Sequence, residues 1–86
     1  MDIQVLYLRS YEFAEEEHSD PMTDEEYQFV IDILNRLNSK EFLNNEEKHE
    51  VEVAFAILLH FDKETAIASM KLSENLKEVL NKIYSE

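Results

Sequence analysis

The chain of 86 residues contains no cysteine, no glycine and no tryptophan, and only one proline, Pro21. Without cysteine it can form no disulfide, no thiolate metal site and no cysteine nucleophile. Without glycine it lacks the usual means of building a phosphate-cradling loop, which needs positive φ and close backbone approach. Tight primed hairpins also rely on glycine, so a β-rich fold is disfavoured. Positive charge is scarce, with 8 Lys/Arg against 20 Asp/Glu and a net of −12. The longest apolar run, residues 53–59, is 7 residues, far below the ~20 needed to span a bilayer. The opening Met1, Asp2 and Ile3 have neither the positive charge nor the small-residue cleavage site of a secretory signal. The expectation is a cytoplasmic protein. Its acidity predicts no direct binding to nucleic acid and none to membrane, since both present negative charge.

What is present is enough apolar material to fold. Hydrophobic residues make up 44% of the chain, which argues against disorder despite the charge. Residues 1–86 are read as a single helical domain. A chain of this length buries roughly 60–65% of its unfolded surface, so its core is small.

Periodicity predicts an all-α fold, a small bundle of four to five helices around a central apolar helix. Residues 3–14 fit either a helical face (Ile3, Leu6, Tyr7, Ala14) or strand alternation (Ile3, Val5, Tyr7). Helix is favoured because good helix formers follow and no second strand is available. A break over residues 18–21 precedes Thr23, an N-cap with Glu26 at the capping-box position. The helix it starts runs to about Asn38 with Tyr27, Val30, Ile31, Leu34 and Leu37 inward. Asn44 and Asn45 are plausible caps for a helix over residues 46–61, whose part over 53–59 is apolar on every side. Such a helix is buried on every side: it is the central element, or another chain covers one of its faces. Asp62 is expected to cap a short helix to about Met70, with Ala66 and Ile67 inward. Ser73 is expected to cap the last helix. The predicted core is Leu6, Val30, Ile31, Leu34 and Leu37, then Val53, Phe55, Ala56, Ile57 and Leu59, then Ile67, Leu76, Leu80 and Ile83.

The charge is unevenly divided. Residues 1–61 hold 15 Asp/Glu and 4 Lys/Arg, a net of −11, whereas residues 62–86 hold 5 and 4, a net of −1. Solubility needs a net charge of only about 2–8 in magnitude. Carboxylates cluster at Glu15, Glu16, Glu17 and Asp20, at Asp24, Glu25 and Glu26, and at Glu46, Glu47 and Glu50. A carboxylate-rich face speeds encounter with positive surfaces and selects for them. These ten residues are therefore the candidate partner-binding set. The expected function is a small acidic regulator or inhibitor that binds a basic protein, with mimicry of nucleic acid as its sharpest form and a nucleic-acid-binding protein or nuclease as the partner. Against this stands an ordinary solvated surface with carboxylates at helix N-termini. A homodimeric structural or assembly protein is the first alternative, motivated by the apolar run at 53–59.

A second alternative comes from the C-terminal third. Ala66, Ile67 and Ala68, then residues 70–75, then Leu80, Ile83 and Tyr84 resemble the helix-turn-helix of LuxR-type regulators and of sigma-factor region 4. The resemblance implies two helices packed at an angle and a divergent helix-turn-helix transcriptional regulator. Lys71 stands where that pattern carries glycine, and the spacing from Asn75 to Leu80 is one residue short. Recognition helices need basic and amide side chains, whereas here Glu74 and Glu78 oppose Lys77 and Lys82.

Histidine and carboxylate chemistry offers less. His49 and His60 lie near one helical face but roughly 16 Å apart along it, too far to share a metal. Glu46 and His49 have the spacing of half a carboxylate-bridged di-iron site, but no second pair exists. His18 is a lone loop histidine. Acid–base work by paired carboxylates requires a pocket that drives their pKa values apart, and a chain this small has little room for one. No catalytic residue, metal or cofactor is expected.

Overall fold

The computed structural model describes residues 2–15 and 21–85. Among these residues there are five α-helices and no strand: α1 (Ile3–Glu15), α2 (Asp24–Asn38), α3 (Asn45–His60), α4 (Glu64–Ser69) and α5 (Glu74–Tyr84). The ambiguous N-terminal segment is helical. Asp2 starts it, its carboxylate accepting from the Gln4 N–H at 2.9 Å.

The helix starts follow local chemistry. Thr23 and Glu26 form a reciprocal capping box on α2, and Asn44 and Glu47 form another on α3. Each box satisfies two backbone donors that a helix start leaves without partners. Ser73 caps α5, its hydroxyl accepting from the Leu76 N–H. The Asn38 side chain ties the turn before α5 to the end of α2: it donates to the Lys71 carbonyl at 2.8 Å and accepts from the Ser73 N–H at 2.7 Å.

The expected cap at Asp62 is a correction. Asp62 has φ of 60°, and Lys63 is the residue before α4, without a side-chain cap. Asp62 instead closes α3. The Asp62 N–H donates to the Leu59 carbonyl at 3.2 Å and the Lys63 N–H to the Leu58 carbonyl at 2.7 Å. This bond pair is a Schellman ending, whose left-handed residue is usually glycine. The chain has no glycine, and aspartate is among the residues that enter this region at modest cost.

The helix α3 packs against each of the other four. Its neighbours can be oriented from point contacts. Lys40 and Glu47 are ion-paired, as are Arg36 and Glu50, so α2 returns antiparallel to α3. Ser10 meets His60 and Phe13 meets Phe61, which places the C-terminal half of α1 beside the C-terminal end of α3. Asn75 donates to the Glu41 carbonyl ahead of α3, while Tyr84 lines a groove together with Glu64 beyond it, so α5 runs parallel to α3. One hydrophobic core takes side chains from all five helices. Its fully buried members include Val51, Ala54, Phe55, Ile57 and Leu58 of α3. The central position expected for the apolar run is the observed one, and the other four helices of the same chain pack around it.

Several core assignments shift. Ile31, Ala56, Leu59, Leu80 and Ile83 are half-buried, and Ala14 is exposed. Ile33, Leu43, Val51, Phe61 and Val79 are buried instead of, or in addition to, the expected set. On α2 the expected Val30, Leu34 and Leu37 are buried, and Ile33 rather than Ile31 completes the stripe, which is an i, i+3, i+4, i+7 face.

The geometry at Asp62 makes a checkable prediction. Asp62→Gly removes the cost of a side chain in the left-handed region, and among the described residues the Asp62 side chain makes no hydrogen bond that would be lost. The replacement should raise stability by about 0.5–1 kcal/mol, although glycine loosens the unfolded chain. Urea unfolding checks it. A clear loss of stability would show that the Asp62 side chain supports the α3–α4 joint by contacts of its own.

Candidate functional site

The ten carboxylates singled out from the sequence do not share one face. Glu16, Glu17 and Asp20 lie outside the described residues. Glu15 is exposed in the last turn of α1, and Asp24 and Glu25 are exposed in the first turn of α2. Both helix ends lie towards the C-terminal end of α3: Phe13 of α1 packs on Phe61, the start of α2 shares a groove with Lys63 and Ala66, and Arg9 in the middle of α1 is clasped to Glu26. Glu46, Glu47 and Glu50 belong to the start of α3, at the other end of the antiparallel α2–α3 pair. A helix of 15 residues separates the two groups by about 21 Å.

Three of the ten are occupied within the fold. Glu26 closes the α2 capping box and takes both guanidinium nitrogens of Arg9. The Arg9 guanidinium also stacks 5.5 Å from the centre of the Phe61 ring, which in turn packs 5.1 Å from Phe13. The hydrogen bonds from Arg9 outweigh the cost of burial and hold the Glu26 carboxyl at about 2. Glu47 closes the α3 capping box and pairs with Lys40, which lowers its pKa. Glu50 pairs with Arg36 at 2.8 Å. Glu15, Asp24, Glu25 and Glu46 are exposed, and among the described residues they are in no ion pair. Glu12, one turn before the end of α1, joins them.

The structure also assembles a site that the sequence reading did not name. A cavity of about 350 Å³ opens between α1, α3 and α5. The helix α1 contributes Gln4, Tyr7 and Tyr11, one face at i, i+3 and i+7. The helix α3 contributes His49, Glu52, Val53, Ala56 and His60, again one face. Ile83 of α5 closes the apolar side. The two tyrosine rings meet edge to face, 5.1 Å apart at 79°. Tyr11 also lies 4.5 Å from the His60 ring.

Hydrogen bonding in this cavity sets the protonation states. The buried Ser10 hydroxyl donates to the Tyr7 carbonyl at 2.6 Å. Its single proton is therefore used, and its 3.2 Å contact with His60 Nδ1 requires that nitrogen to carry the proton. Burial lowers the His60 pKa, so the ring is neutral at pH 7 and its Nε2 is an acceptor. The Tyr7 hydroxyl donates to Tyr11 at 3.4 Å. That bond first, then burial and the negative charge of Glu52, push the Tyr7 phenol up to about 12. Ser10 and His60 do not make a nucleophile and its base. The serine is fully buried, its proton goes to a backbone carbonyl, and the imidazole donates where a general base would accept.

The two histidines set apart by their spacing line the same cavity from its two ends. Among the described residues no group of three or more His, Cys, Asp or Glu is placed to hold a metal ion. The signals that could have revealed the cavity were the Tyr7–Tyr11 spacing and the shared face of His49, Glu52 and His60. Nothing in sequence says that α1 and α3 present these faces to each other.

The segment that resembles a helix-turn-helix forms α4 and α5, joined by residues 70–73. A groove of about 340 Å³ separates them, with Ile67, Met70, Leu72 and Leu80 on its walls. The helix α5 opens on Glu74, which engages Lys77 at 3.6 Å, so negative charge stands where a recognition helix meets phosphate. No helix among the described residues is long and apolar enough to cross a membrane. No protein-family model matches the chain, and neither a curated protein nor a solved structure matches it.

The Arg9–Glu26 clasp generates a pH prediction. The folded Glu26 pKa lies below its ordinary 4.5, so the unfolded chain binds the proton more readily. The stabilisation is complete above about pH 4.5 and is lost as pH falls towards about 2. Glu26→Gln should flatten this part of the stability profile, measured by urea midpoints at stepped pH. An unchanged acid limb would show that other carboxylates carry it.

Proposed function

We propose that this protein is a small regulator or inhibitor that binds a basic protein through the carboxylates at one end of its helical bundle. One observation carries the reading. Glu12, Glu15, Asp24 and Glu25 are exposed towards the end of the bundle where α3 finishes, and among the described residues none of them is in an ion pair. The helix dipole gives Asp24 and Glu25 a structural reason to be there, at the start of α2. Glu12 and Glu15 have no such reason, and no basic residue shares their turn of α1. A role outside the fold would account for them.

The net charge of −11 over residues 1–61 supports the same reading, because a field of one sign accelerates encounter with a surface of the other. Nucleic-acid-binding proteins and nucleases carry such surfaces, since their own ligand is a chain of phosphates. Carboxylates at the α1–α2 end would occupy that surface in place of phosphates. Glu16, Glu17 and Asp20 fall in sequence between these two groups and add to the charge.

A second reading is self-association. Its support is an apolar strip on the outer side of α1, where Val5 is 62% and Leu8 is 64% exposed, with Tyr11 one turn further on. The earlier motive, the apolar run of α3, no longer favours it, because that run is packed within the chain.

Affinity capture from the native host lysate along a salt gradient separates the two. The first reading predicts one basic protein in stoichiometric amount, released by salt. Replacing Glu15, Asp24 and Glu25 by their amides should weaken capture at least about tenfold, and Glu46→Gln should not. Capture that survives high salt or the triple replacement contradicts it. Recovery of the chain alone, as a dimer that Leu8→Glu dissociates in sedimentation equilibrium, supports the second.

A further inference from the structure

We infer that the cavity between α1, α3 and α5 is a binding site for an alkylammonium group. This site is separate from the acidic end and does not depend on the function proposed above. Its lining contains one formal charge, the Glu52 carboxylate, and no lysine or arginine. Glu52 is half-buried, and among the described residues it makes no hydrogen bond or ion pair. It also lines a neighbouring groove with Lys48 and Lys82, neither of which is ion-paired with it. A carboxylate withdrawn partly from water favours a cation brought into contact with it.

The rest of the lining matches an ammonium head and a hydrocarbon tail. Tyr7 and Tyr11, set nearly at right angles, offer an aromatic corner, and ring faces attract cations. The Ser10 contact fixes the His60 tautomer, so Nε2 is an acceptor, and the Gln4 amide carbonyl is another. An ammonium carries three donors and no acceptor, which is the complement of this set. Val53, Ala56 and Ile83 supply apolar contact for methylenes. A volume of about 350 Å³ is at the small end of ligand pockets and suits a short alkyl amine or the end of a lysine side chain. An anion would meet Glu52 and no positive charge. A neutral ligand would leave Glu52 without a partner. The negative potential at Tyr7, part of which comes from Glu52, points the same way.

The test is a titration of the folded protein with n-butylammonium chloride, followed by amide and histidine ring NMR shifts at constant ionic strength. Saturable shifts centred on Tyr7, Tyr11, Ala56 and His60 are expected, with a dissociation constant of about a millimolar. Glu52→Gln should weaken binding about tenfold, and Tyr11→Leu a few-fold. Both side chains are solvent-accessible and leave the core intact, which the unligated spectra will verify. Glu41→Gln, exposed and outside the cavity, should leave butylammonium binding unchanged. Titration with a capped Ala-Lys-Ala peptide distinguishes the source: comparable binding assigns the site to a lysine side chain, and exclusion of the peptide assigns it to a free amine. The inference is overturned if n-pentanol binds as well as butylammonium. Shifts spread over the acidic surface, or binding indifferent to Glu52→Gln, would also overturn it.

Discussion

The burial of α3 is the constraint on which the rest of the structure depends. Its segment from Val51 to Leu58 places five fully buried side chains within two turns. No single neighbour can cover a helix that is apolar on nearly every side. Four helices are needed, and the chain folds so that α1, α2, α4 and α5 each pack against it. Only the side bearing Glu52, Ala56 and His60 is left partly open, and this strip becomes one wall of the cavity. The same demand for burial that fixes the bundle therefore fixes where a ligand could enter it.

The helix ends are closed by side chains, and the absence of glycine is felt at one of them. Two capping boxes, a serine cap and an Asn38 bridge satisfy the starts of α2, α3 and α5 with side chains. At the end of α3 the backbone still turns left-handed, and Asp62 takes the strain. Carboxylates are divided between these duties and the surface. Glu26 and Glu47 are each tied to both a cap and a cation, whereas among the described residues Glu15, Asp24 and Glu25 are tied to neither. Net charge alone does not distinguish the two kinds.

Much of the fold was legible in the sequence because helix signals are local. Thr23 with Glu26, Asn44 ahead of α3, and Ser73 ahead of α5 each announced a start through the residue type that a cap requires. The apolar run at 53–59 announced the centre. Asp62 misled, because the same residue type serves as an N-cap and as a left-handed C-terminal residue, and only the backbone decides between them. Ser10 was overlooked because a lone serine in a helix carries no signal until a partner 50 residues away meets it. The cavity was hidden for the same reason. Its tyrosines and histidines are spaced correctly on their own helices, but the pairing of α1 with α3 is a tertiary fact. The carboxylates were visible as clusters, yet their separation to opposite ends of the α2–α3 pair follows from its antiparallel packing.

Native-state hydrogen exchange tests the central role of α3 most directly. The account predicts that amides of residues 53–59 exchange only through global unfolding, with the same free energy as denaturant unfolding reports. Amides of α4, with its six residues and no side-chain cap, should open at lower cost. Exchange in residues 53–59 through local opening, faster than in α1 or α5, would contradict the claim that α3 is the element the others are folded around.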